Sequence, residues 1–244
     1  MPSSTDDSSA GIIWVASRTT QPSLKPEKFV DWYENIHVQE VIATGGVPGA
    51  VRYERVGSEP TGSQSGDEEK LGAYGWLTVY AFPQLGFRHT AQFKGLDGQK
   101  SPKGDLLDTI FKKAEFATRF AGLKGVWADG KWSDGGKIEG FRPAEWVVVA
   151  TLVSDGDGGG KAIGAEEGKA LEGLKGFVRA QVFDIAESSV LCEFERRKGL
   201  MGTMVMVGFE GEPDGEAVGK VVGRMGKVVE RSVFKKRRGY DCWT

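Results

Sequence analysis

The order of elements in the sequence predicts an α+β fold, with two ferredoxin-like βαββαβ repeats packed sheet to sheet within one chain. Three observations carry this expectation. Short β-branched runs alternate with helical spacings in the order strand, helix, strand, strand, helix, strand, and that order occurs twice. Gly49-Ala50-Val51-Arg52, after the first helix of one half, is matched by Gly176-Phe177-Val178-Arg179 in the other. Between the halves, FRPAEW is too short and too apolar for a free linker. The repeats so defined are 11–140 and 141–244, behind a polar lead (1–10) expected to be disordered.

Each element has a local reason. GIIWVAS, from residue 11, is a compact β-branched strand. Pro26 suits the first turn of the helix that follows, whose apolar positions Phe29, Trp32, Tyr33, Ile36, Val41 and Ile42 fall three and four apart. Gly45-Gly46 ends that helix. AVRYERV (50–56) and YGWLTVYAF (74–82) are strands, separated by the polar loop SEPTGSQSGDEEKLG. DLLDTIFKKAEFATRF (105–120) is expected as the second helix, and GVWADGKW as a returning strand. In the second half EWVVVATLV, FVRAQVFDI and GTMVMVGFE read as strands. AEEGKALEGL (165–174) and EAVGKVVGRMGKVVE (216–230) read as helices, and SVFKKRRGYDCW closes the chain as a strand. KKRR (235–238) is expected on a solvated strand edge, where lysine blocks aggregation.

Composition removes several classes of function. The formal net charge of −2 gives no bulk preference for nucleic acid or an anionic membrane. No apolar run has the length of a membrane span, and the start has neither the basic nor the apolar part of a secretory signal. Cys192 and Cys242 cannot make a disulfide framework, so a reducing cytoplasm is the expected compartment. Two histidines, without CxxC or HExxH, do not provide a transition-metal site, and GDGGGK has the wrong spacing for a phosphate loop.

Candidate chemistry centres on His37, four residues after Tyr33 and eight after Phe29. Spacing alone leaves two readings. Either the imidazole packs in the core, bonded to a backbone carbonyl, or it moves a proton, since it titrates near neutrality. Tyr33 packs, or orients an imidazole or a ligand oxygen. Trp14, Trp76 and Tyr80 come from strands expected to be neighbours and suit either an ordinary core or the wall of a flat aromatic site. Of Arg52 and Tyr53, strand alternation lets only one face a pocket, and Arg52 would clamp a carboxylate. His89 lies in GFRHTAQF, a segment placed to close over a cavity or simply to meet solvent. Glu34 and Glu40 fall on other sides of the helix and are expected to be solvated.

FVDWYENIHVQEV after GIIWVAS, followed by GVPGAVRYERV, resembles the EthD-like branch of the dimeric α+β barrel superfamily. The match covers roughly residues 11–82, and only element order supports it beyond. The resemblance implies a cavity between helices and sheet that holds small aromatic molecules, with Trp32 beside it. It implies chemistry without a cofactor, on phenolic or polyketide-like substrates of fungal-type secondary metabolism. Decarboxylation, cyclisation and oxygenation all occur in such barrels, as do noncatalytic ligand-binding and stress-responsive members. The second half has neither the aromatic pair nor the histidine on its first helix, so it is expected to be structural. Because the two repeats complete one barrel, the chain is expected to act as a monomer, with a small aromatic molecule as its partner.

Overall fold

The computed structural model describes residues 7–57, 74–135, 143–153 and 162–240. The strands are β1 (Gly11–Thr19), β2 (Ala50–Val56), β3 (Trp76–Phe82), β4 (Ala114–Ala128), β5 (Lys131–Asp134), β6 (Trp146–Val153), β7 (Phe177–Cys192), β8 (Glu195–Lys198), β9 (Thr203–Phe209) and β10 (Lys227–Tyr240). The helices are short: α1 (Pro26–Trp32), α2 (Val38–Ile42), α3 (Ala91–Lys94), α4 (Leu106–Thr109), α5 (Ala165–Glu172) and α6 (Gly215–Val222). A π-helical turn, Tyr33–His37, joins α1 to α2.

Among the described residues all ten strands belong to one sheet, ordered β5-β4-β1-β3-β2-β10-β6-β9-β7-β8, and β4 also pairs with β7. That pairing closes eight strands into an antiparallel barrel, with β5 and β8 as hairpin extensions at the seam. The expectation of two ferredoxin-like sheets stacked face to face is therefore wrong. Sequence order repeats between the halves, but their strands join edge to edge, through β2–β10 on one side and β4–β7 on the other. Closure has a physical advantage over stacking because it pairs the backbone groups that two separate sheets would leave open at their edges.

Two helix expectations fail as well. Residues 114–120 are not helical: β4 begins at Ala114, where AEFATRF alternates about the barrel wall. Phe116 and Phe120 point outward and Ala117 and Ala121 inward, a period of two that competes with the helical spacing. The last helix stops at Val222, and Lys227–Glu230 already belongs to β10. The basic run 235–238 is largely solvated as expected: β6 pairing ends at Lys235, and beyond it the ladder continues with β2. At the start of the chain, Asp7 and Ser9 dock on residues 85–88, so the described part of the lead is held in place. The loop SEPTGSQSGDEEKLG, GDGGGK and Cys242 lie outside the described residues.

Side chains fall into three buried layers. Inside the barrel, Ile12, Trp14, Val51, Tyr53, Leu77, Phe183 and Phe234 pack together. Among them, Arg119 pairs with Glu230 and donates to Thr151 Oγ1 (2.8 Å), its guanidinium 4.5 Å from the Trp14 ring. A second layer lies between the outer face of the first half and α1–α4, and a third between the outer face of the second half and α5–α6.

Candidate functional site

The second layer holds the site. Its helix begins at Pro26 and passes through the π turn, in which the Val38 amide donates five residues back to the Tyr33 carbonyl. One residue more than a regular turn rotates the following side chains. Trp32 and His37, five apart, stack at 5.1 Å with ring planes 21° apart, and Tyr33 meets His37 edge-on at 5.2 Å. Ile36, expected on the apolar face, is instead 48% exposed. Gly45, at φ 79°, turns the chain out of the helix toward β2.

Between this helix and the sheet lies a small, partly open cavity of about 60 Å³. His37, Tyr33 and Val41 form its helix side, and Ile13, Val15, Tyr80, Phe116 and Thr118 its sheet side. The 93–99 segment and Phe111 close one end. Leu191 and Arg196 come from the β7–β8 hairpin of the second half, so both halves build the wall. That hairpin turns through Glu193 and Phe194, both at positive φ, and sets Phe194 against Phe111 at 5.9 Å.

His37 keeps 16% of its side-chain surface accessible, and its Nδ1 has no hydrogen-bond partner. The nearest carboxylate is Glu40, at 3.9 Å from Nδ1. Burial, reinforced by the positive charge of Arg52, lowers its pKa from 6.5 to about 4, so the imidazole is neutral at pH 7. Tyr80 donates to the Tyr33 hydroxyl at 3.4 Å, and burial holds the Tyr80 phenol well above its usual pKa, hence protonated.

Strand alternation places Arg52 under the helix and Tyr53 in the barrel interior, where Tyr53 Oη donates to the Ala144 carbonyl (3.2 Å). Arg52 is fully buried but does not line the cavity. Its guanidinium lies 4.1 Å from the Tyr33 ring centre, donates to Thr78 Oγ1 (2.8 Å), and reaches Glu34 at 3.3 Å. Glu34 is thus buried rather than solvated as expected, and Arg237 of β10 also donates to it (2.8 Å). Glu40 is solvated as expected, at 43%. The remaining candidates disperse. Trp14 is inside the barrel, Trp32 backs His37, and Trp76 packs on Phe29 at 5.2 Å. His89 is 50% exposed, 3.5 Å from Asp7.

The matching place in the second half is filled. Trp127, 3% exposed, packs against α5 so closely that a Cβ on Gly168 would meet its ring at 2.1 Å. Sequence reasoning missed Phe111, Phe116, Asp97 and Arg196 as cavity residues. Phe111 and Phe116 fell in the supposed second helix, and no local signal marks Arg196, because only barrel closure brings it to the first half.

No protein-family model matches the chain, and no curated protein does. Similar solved structures include an "anthrone oxidase-like protein", 13% identical, spanning 96% of this chain and 93% of the other with a TM-score of 0.45. Another is a "putative monooxygenase from Lactobacillus acidophilus NCFM", 10% identical, spanning 94% of each chain with a TM-score of 0.41. At these values neither bears on function. Among the described residues no helix is long and apolar enough to cross a membrane.

Proposed function

We propose that the chain is a small-molecule enzyme in which His37 acts as a general base on a hydroxylated or enolisable aromatic substrate. One observation supports this above the others: a neutral imidazole lines an aromatic cavity, and its Nδ1 has no hydrogen-bond partner. A packing histidine would be expected to satisfy that nitrogen.

The geometry separates the two directions of proton transfer. With a pKa near 4, almost no imidazolium exists at pH 7, so His37 is set to accept a proton from the ligand rather than to deliver one. Arg52 stands behind Tyr33 and does not reach the cavity, and the Arg196 guanidinium at the wall is already engaged by Ser189 and the Gly98 carbonyl, so neither is set as a free carboxylate clamp. Both points favour formation of a phenolate or enolate, the first step of cyclisation or cofactor-free oxygenation, over protonative decarboxylation. As negative charge grows on the ligand oxygen, the Tyr33 hydroxyl is the donor beside it, with the Arg52 charge behind the ring. The new imidazolium is held by its ion pair with that anion, which raises its pKa during the reaction.

Proton abstraction can be read directly as hydrogen–deuterium exchange at the acidic C1 position of 2-tetralone, followed by NMR. Wild-type protein is expected to accelerate exchange, and His37→Ala to lose on the order of 10²-fold or more while its near-UV circular dichroism is unchanged. The rate should be level from neutral pH downward and fall as pH drops through about 4, where His37 becomes protonated. A rate that instead falls as pH rises through 4 would make His37 an acid. Undiminished exchange in His37→Ala would return His37 to a packing role, and no acceleration by wild type would leave a noncatalytic ligand-binding barrel.

A further inference from the structure

At its wall the cavity has a further polar residue that the base chemistry does not use. Asp97 lines it, is only 8% exposed, and its Oδ1 has no hydrogen-bond partner. Leaving a buried carboxylate oxygen unpaired is costly, and such an oxygen is satisfied by a donor. The turn that carries it is fixed. Gly98 takes a positive φ of 88°, and Arg196 donates from Nη2 to the Gly98 carbonyl (2.7 Å) and from Nη1 to Ser189 Oγ (2.8 Å). Asp97 is therefore held at the cavity wall by a residue of the opposite half.

We infer that Asp97 is a specificity-determining residue that accepts a hydrogen bond from a ligand hydroxyl other than the group His37 acts on. The ligand class narrows accordingly, to aromatics bearing at least two hydroxyl-type groups. A carboxylate oxygen acting as acceptor selects a donor at that position and rejects a methyl ether or a second carboxylate. This rests on the cavity being the ligand site, as in the function proposed above, but not on His37 being a base.

The test compares dissociation constants for 2-naphthol with those for 1,5-, 2,6- and 2,7-dihydroxynaphthalene, by calorimetry on the full chain. Wild type is expected to bind at least one diol about tenfold or more tightly than the mono-ol, the scale of a hydrogen bond to a charged group. Asp97→Leu should keep its affinity for 2-naphthol and lose that preference. Asp97→Asn, closer in size and able to accept more weakly, should keep part of it. Because the readout is a ratio within one protein, partial loss of folded protein cancels. No diol preference in wild type, or an unchanged preference in Asp97→Leu, overturns the inference. The exchange assay separates the two ideas: His37→Ala can fail there while the Asp97-dependent ratio stands, and the converse also holds.

Discussion

At the scale of single residues, the sequence reads Glu34 wrongly in terms of burial and His37 correctly as facing the sheet side. Glu34 sits among charged neighbours and looks like a solvated helix residue, yet it is buried against Arg52, Arg237 and Arg238. Arg52 is there because β2 passes beneath α1, and burial is the main force lowering its pKa, opposed by Tyr33, Tyr80 and Glu34. Removing one member of such a buried pair strands the other charge, at a cost of about 3–5 kcal/mol. Glu34→Ala is thus expected to lower unfolding free energy by roughly that amount in a urea titration. Glu40→Ala, on the exposed side of the same helix, should change it by less than about 0.5 kcal/mol. Equal effects would mean that Glu34 contributes nothing as a buried counter-ion.

At the scale of elements, the two halves differ in what lies under the first helix. The first half leaves space between α1–α2 and the sheet, whereas in the second half Trp127 fills it against α5. Gly168 makes that contact possible, and two physical terms oppose each other there. Helix propensity alone would make Gly168→Ala stabilising by up to about 1 kcal/mol. The added Cβ would meet Trp127 ring atoms at 2.1 Å, and such overpacking costs about 1–3 kcal/mol. Net destabilisation is expected, visible as a lower thermal midpoint. A stabilised Gly168→Ala protein would show that the helix and Trp127 are free to separate.

At the scale of the whole molecule, the barrel depends on both halves at two seams. β2 pairs with β10 and β4 with β7, and the buried pair of Arg119 with Glu230 crosses the interior between halves. A separated half would expose two strand edges and the inner wall of the barrel. Fragments 1–140 and 141–244 are expected to be unfolded or aggregated when produced alone, and to form a folded heterodimer when produced together. Circular dichroism and light scattering check this, and a half that folds cooperatively as a monomer would contradict it.

Much of the first half was legible because its signals are local. GIIWVAS, AVRYERV and WLTVYAF carry the β-branched and aromatic residues of strands, and Pro26 and Gly45 mark the ends of a helical region by backbone geometry alone. The aromatic pair with a following histidine singled out Tyr33 and His37, and Tyr80 was named with the strand aromatics; all three meet at the cavity. The rest required contacts distant in sequence. Whether AEFATRF is helix or strand depends on β1 and β7 lying on either side of it, because its pattern fits both periods. The π turn, not regular helical spacing, sets His37 on Trp32. Closure of β4 onto β7 brings Arg196 to a cavity in the other half, where it holds the turn of Asp97. The sequence by itself determined β1, β2, β3 and the start of the first helix, because those choices are made by neighbouring residues. Only the tertiary structure decided that the sheets close rather than stack, and which polar atoms face the cavity, because both depend on pairing between segments far apart in the chain.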